Sequence, residues 1–224
     1  SAFDGTGLTN VTIPCNVTNI GNGVFSYCPA LTNVAIPGHV ANIDAFAFSG
    51  SGLTSVTVPD SVTNIGDFVF SDCGDLTNAI IGKGVTSLGD GPFSDCGSLS
   101  RIYFTGNAPS ANGTAIYGDD PNLIIYYLPG TSGWNGFAAA TGLSPELWNP
   151  LIQAGGANFG VRSNQFGFTI TGTANIPVEV EACTNLASPV WNPIQSLTLT
   201  NGSVYFSDGQ WSNYPARYYG LGFP

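Results

Sequence analysis

The chain has 224 residues; only 8% are charged while 43% are apolar, and Gly (30) and Pro (15) are plentiful. So much apolar side chain excludes a disordered tail, and the balance is that of a turn-rich β protein with a hydroxyl and amide surface. A net charge of −10, with one Lys and three Arg, argues against nucleic acid or an anionic membrane as a partner, since both need a basic footprint.

No apolar run approaches the roughly 20 residues of a membrane span, and no stretch reads as a signal peptide. Ser1 fits a processed mature protein and equally a fragment. Five Cys leave at least one free or paired with another chain. None forms a CxxC pair, and a single His cannot complete a zinc site, so no metal and no cofactor is expected.

In chain order, the first half is an internal repeat. Phe3, Phe25, Phe48, Phe70 and Phe93 recur every 22 or 23 residues, and Leu8, Leu31, Leu53, Leu76 and Leu99 keep step with them. Ile13, Ile36, Val58, Ile81 and Phe104 form a third column, followed by Val17, Val40, Val62 and Val85, then Ile20, Ile43, Ile65 and Leu88. A period of that length is in the leucine-rich-repeat range and means a solenoid. In each coil "LTxVxIP" alternates apolar and polar and predicts a strand; "VTNIG" supplies two more inward residues, and Phe fills the next corner. Stacked coils would set equivalent residues about 4.8 Å apart.

The motif "AFxxCxxLTxVxIPxSVTxIG" resembles the BspA-like bacterial leucine-rich repeat over residues 1–105. The resemblance implies a secreted or cell-surface bacterial protein that acts by binding rather than catalysis. After Phe104 the period breaks. "GNAP…YYLPGTSGW" resembles the tail that ends such arrays; it contains one predicted strand, Leu123 to Leu128, and implies a cap over the last coil. From about 158, short alternating segments separated by Gly, Pro, Asn and Asp predict a small antiparallel β-sandwich. Trp191 is its expected core anchor. "VEACTNLASPVWNPI…SVYFSD…YPARYYGL", with Arg217 before an aromatic pair, resembles a C-terminal β module of secreted bacterial proteins. The expected chain is thus mainly all-β: a leucine-rich-repeat solenoid of short parallel strands (1–105, four to five coils), a cap and connector (106–157) and the β-sandwich (158–224).

Several columns resemble chemistry. Cys28, Cys73 and Cys96 share one, which reads as a disulfide, a metal rung or a buried thiol ladder, Cys behaving in the last as a small hydrophobe. His39, Asp60 and Ser61 suggest a triad, but they sit at a solvent-facing turn with no oxyanion hole implied. Asp72 with Asp95, and Asp67 with Asp90, could bridge a cation; "GDD" at 118–120 lacks the spacing of a calcium loop. Four glycosylation sequons occur, at Asn10, Asn16, Asn112 and Asn201. On the outward strand face, Thr9, Thr32, Thr54, Thr77 and Ser100 form a hydroxyl column. Thr12, Ala35, Thr57, Ile80 and Tyr103 form a second, a candidate concave binding face. Trp211 and Tyr214, in a loop-like stretch, are candidate aromatic contacts for a sugar or a partner.

No acid–base pair or nucleophile supports an enzyme. Phe3, Leu8, Val11 and Ile13 already occupy repeat positions, so residues 1–14 do not read as a cap. That exposed edge points to a structural protein that joins copies of itself head to tail into a filament or other homopolymer. The alternative is an adhesin binding protein or glycan on the solenoid face.

Overall fold

The computed structural model describes residues 2–111 and 123–224, which form two compact units, 1–146 and 147–224. Unit 1 is a stack of coils held by two parallel ladders. The short ladder runs through β1 (Asn19–Ile20), β2 (Asn42–Ile43), β4 (Asn64–Ile65), β6 (Ser87–Leu88) and β8 (Ser110–Ala111); between them in sequence lie β3 (Ser55–Val58), β5 (Asn78–Ile81), β7 (Arg101–Phe104) and β9 (Ile124–Tyr127), which pair in order as the long ladder. The register is constant: Val58 lies opposite Ile81, Ile81 opposite Phe104, and Ile65 opposite Leu88. In coils 1 and 2 the long ladder is reduced to a single bridge, Thr12 to Ala35.

The repeat columns are the core. The column phenylalanines stack ring on ring, with centroids 5.7, 5.4, 5.6 and 5.3 Å apart from Phe3 through Phe25, Phe48 and Phe70 to Phe93, all within 18° of parallel. Backbone bonds at the same corner tie the coils together: Phe25 N–H donates to Ala47 O (2.8 Å), Phe48 to Val69 O (2.9 Å) and Phe70 to Pro92 O (2.8 Å). The Leu, Ile and Val columns are buried from coil 2 onward.

At the far end the stack is closed by α1 (Trp134–Thr141), an element absent from the sequence reading. Its bracket is visible in retrospect: an Ala-rich run between Gly133 (φ 89°) and Gly142 (φ 75°), whose N–H closes the last turn onto Ala138 O. Trp134 and Phe137 lie against Phe104 (5.3 and 5.9 Å), and Tyr127 stacks on Trp134 (5.0 Å). Both helix side chains belong to the same buried cluster as the repeat columns. β10 (Glu146–Leu147) falls on the boundary between the units.

Unit 2 is two antiparallel sheets face to face. In the first, β13 (Gln165–Thr171) pairs on one side with both β11 (Leu151–Gln153) and β12 (Gly160–Arg162), and on the other with β16 (Ser203–Asp208). In the second, β14 (Pro177–Cys183) lies between β15 (Asn192–Thr198) and β17 (Tyr218–Gly222). Phe168, Ile170 and Phe206 face Val178, Val180 and Ala182, all buried. The β12–β13 hairpin turns on Ser163 and Asn164, both left-handed (φ 47° and 59°), the pattern a two-residue hairpin needs to match strand twist.

Two expectations are corrected. The boundary falls at 146/147 rather than 157/158, because β11, from the expected connector, hydrogen-bonds to β13. Trp191 is not the core anchor: it is 38% exposed, ahead of edge strand β15, with its ring over Gly220. Trp148 is the buried indole instead, its Nε1 donating to Pro177 O at 2.8 Å.

Phe70 is fully buried between two ring neighbours. Phe70→Ala is expected to cost about 3–5 kcal/mol of unfolding free energy, read from urea denaturation followed by circular dichroism. A loss below about 1 kcal/mol would place the ring outside the core.

Candidate functional site

Each coil turns its Phe corner through five residues whose first and last are left-handed. The first column is Gly23, Phe46, Phe68 and Gly91 (φ 58°, 58°, 54°, 52°); the last is Gly5, Tyr27, Gly50, Asp72 and Asp95 (φ 68°, 50°, 67°, 57°, 58°). That explains the Asp72/Asp95 column: Asp tolerates this backbone where a Cβ is otherwise penalised. Aromatic residues there are the exception, at a cost of about 1–2 kcal/mol each. Tyr27 (61% exposed) lies over Gly50, where a Cβ would come within 2.8 Å of the ring. Phe46 (44% exposed) stacks on Phe68 at 5.3 Å.

The other acidic columns also have local partners. Asp67 Oδ1 accepts the Asp90 N–H (2.8 Å), and Asp60 Oδ1 accepts the Lys83 N–H (3.0 Å) beside an exposed ion pair with Lys83 Nζ (3.3 Å). Among the described residues no group of three or more His, Cys, Asp or Glu could hold a metal. "GDD" at 118–120 and the Asn112 sequon lie outside the described residues. The triad look-alike is dispersed: His39 Nε2 lies 3.3 Å from Pro14 O, Ser61 Oγ donates to Val40 O (2.6 Å), and Asp60 is engaged with Lys83.

The Cys column is a thiol ladder. Cys28, Cys73 and Cys96 donate to the carbonyls of Phe3, Phe48 and Phe70 (3.1, 3.3 and 3.0 Å), and all five thiols are free. The adjoining Cys73 thiol, together with burial, pushes the Cys96 thiol far above its ordinary range.

The outward strand face is less available than the sequence suggests. The hydroxyls of Thr54, Thr77 and Ser100 each donate to the residue below, at Thr32, Thr54 and Thr77 O. Of the second column, Thr12 and Thr57 are exposed and Ile80 is half-buried, but Tyr103 is fully buried, stacked on Tyr126 at 5.1 Å. Tyr103 therefore leaves the candidate binding face; burial raises both phenols above their ordinary pKa. The first-coil edge is open: Phe3 is 43% exposed, Val11, Val17 and Val24 are half-buried, and they border an apolar hollow of about 360 Å³ that also reaches Ile13 and Ile20. Leu8 is half-buried against the same core.

The profile of the BspA type leucine rich repeat region matches residues 1–120 in six copies. The chain belongs to this family. BspA-type repeats serve surface protein–protein contact, and their fold is typically non-enzymatic. A solved leucine-rich repeat protein from Bacteroides ovatus is similar, at 22% identity and TM-score 0.33, over 56% of this chain and 51% of that one. The match thus spans about half of that protein's length. None of the curated proteins compared matches significantly.

Beyond the BspA-type repeats, unit 2 concentrates its polar chemistry at one end. Arg217 Nε lies 2.7 Å from Asp208 Oδ2, both largely buried, and Tyr219 Oη donates to the same carboxylate oxygen (3.0 Å). The Arg217 guanidinium caps the Tyr214 ring at 4.1 Å, so that side of Tyr214 is occupied although the residue is 42% exposed. Trp211 is half-buried, with Nε1 donating to Asn164 O (3.2 Å). Neither candidate aromatic is a free platform.

Burial and the bond to Asp208 push the Tyr219 phenol up to about 12 from an ordinary 10. Its contribution to stability is complete below pH 10 and lost as pH rises through about 12. Tyr219→Phe should flatten part of that alkaline fall in urea midpoints. Cys15 alone is exposed, so one thiol per chain should react rapidly with a disulfide reagent at neutral pH, and all five after unfolding; fast labelling of two or more would exclude the buried ladder.

Proposed function

We propose that the protein works outside the cell or at its surface, without catalysis, by contact with other macromolecules, and that its first partner is another copy of itself, joined head to tail. The observation that carries this reading is the apolar edge of coil 1. Among the described residues Phe3 stacks on Phe25 through one face, and the half-buried Val11, Val17 and Val24 frame a hollow open to solvent. Such an edge accepts one more apolar layer, whether from an adjoining stretch of polypeptide or from a second molecule.

The capped far end constrains the geometry. Trp134 and Phe137 seal the last coil, so a head-to-tail contact cannot run from the coil 1 edge onto the last coil. The joint would instead set the coil 1 edge against unit 2, where edge strand β15 is exposed with Val190, Trp191 and Ile194 beside it. A heterologous contact of this kind continues into filaments or closes into rings. The adhesin reading is favoured by a separate observation, the row of exposed aromatics at the coil corners, and predicts hits on a matrix-protein and glycan array.

Size-exclusion chromatography with light scattering decides the first reading. The intact chain is expected to form concentration-dependent oligomers, and Leu8→Asp to weaken them by roughly 30-fold in Kd. A monomer at every concentration, or oligomers indifferent to Leu8→Asp, would sink it.

A further inference from the structure

We propose that the slot beside Phe46 is a docking site for an arginine side chain of a partner protein; this rests on the contact reading above and adds a site and a partner chemistry to it. Phe46 keeps a left-handed backbone at a position where coils 2 and 5 carry Gly23 and Gly91 and coil 4 carries Phe68. One face of the ring stacks on Phe68, which in turn lies over Gly91. The equivalent position of coil 2 is Gly23, so no side chain of the column covers the other face. A planar group can continue the stack there.

The surroundings select which planar group. A polar groove of about 590 Å³, lined by Asn22, Asp44, Ala45, Asn64 and Asp67 among others, ends at Ala45, the residue before Phe46. Asp44 stands two residues before Phe46, one of its oxygens held by Asn19 Nδ2 at 2.7 Å. The ion pairs among the described residues are Lys83–Asp60 and Arg217–Asp208, so neither Asp44 nor Asp67 has a cationic partner there. The charge of the whole unit points the same way: eleven of the fourteen carboxylates lie in residues 1–146, against two of the four Lys and Arg. A guanidinium stacks on an aromatic face and presents a planar fork of donors to a carboxylate, whereas an ammonium is a point charge without a face. A neutral sugar would stack but draw nothing from the negative field.

Calorimetric titration of the intact chain at about 0.15 M salt with nona-arginine, nona-lysine and maltohexaose tests the assignment. Nona-arginine should bind about tenfold more tightly than nona-lysine, and maltohexaose should not bind. Phe46→Gly, which installs the residue that coils 2 and 5 carry, and Asp44→Asn should each weaken nona-arginine about tenfold with melting temperature retained. Asp95→Asn, the same charge change at the other corner column, should leave it unchanged. Equal binding of the two peptides, or equal loss in Asp95→Asn, would mean a diffuse acidic surface and overturn the slot. Maltohexaose binding lost in Phe46→Gly would make it a glycan site instead. No peptide binding overturns the slot alone, because self-association is measured independently.

Discussion

The stack of phenylalanine rings is the constraint on which the solenoid depends. Ring centroids 5.3–5.7 Å apart are compatible with parallel strands about 4.8 Å apart only if every coil brings its Phe to the same corner. Insertions of more than a residue within a coil would break both the stack and the backbone bonds beside it. The period of 22 or 23 residues is therefore a packing requirement written into sequence. The one-residue variation is absorbed without loss of register, since Ile43, Ile65 and Leu88 remain opposite one another.

Once the stack is fixed, its sides follow. Polar groups of one coil fall beside carbonyls of the coil before, and most are consumed there. The Thr and Ser hydroxyls donate down the ladder, the thiols donate to the Phe carbonyls, and Asp67 and Asp60 accept backbone N–H groups of the next coil. Repetition of a polar residue at this spacing is thus first a device for satisfying the backbone. The residues that break a column's rule carry more information: Tyr27, Phe46 and Phe68 occupy left-handed positions where Gly or Asp serves in the other coils, and Tyr27 and Phe46 project into solvent.

Membership of a contact-making repeat family agrees with this division. The surfaces left open are apolar at the first coil and aromatic and acidic at the corners. In unit 2 the sandwich core is closed by Phe168, Phe206 and Tyr219, and the Arg217–Asp208 pair orders the strand end around them.

Much of this was legible in the chain alone. The repeat columns name the core of coils 2 to 5, the family and the solenoid, because a translationally repeated structure maps each sequence column onto one environment. Alternation in 166–170 and 178–182 marks inward faces for the same kind of reason. Where repetition ends, the sequence loses that leverage. Helix α1 closes the array, β11 joins unit 2, Trp148 rather than Trp191 fills its core, and Tyr103 turns from an exposed column into a buried ring stack. Each of these depends on which non-repeating segment lies against which, and on hydrogen bonds between residues with no fixed spacing. The sequence by itself determined the coil, its period and its inward residues; only the tertiary structure decided which outward residues remain free, because that is settled by neighbours one coil away.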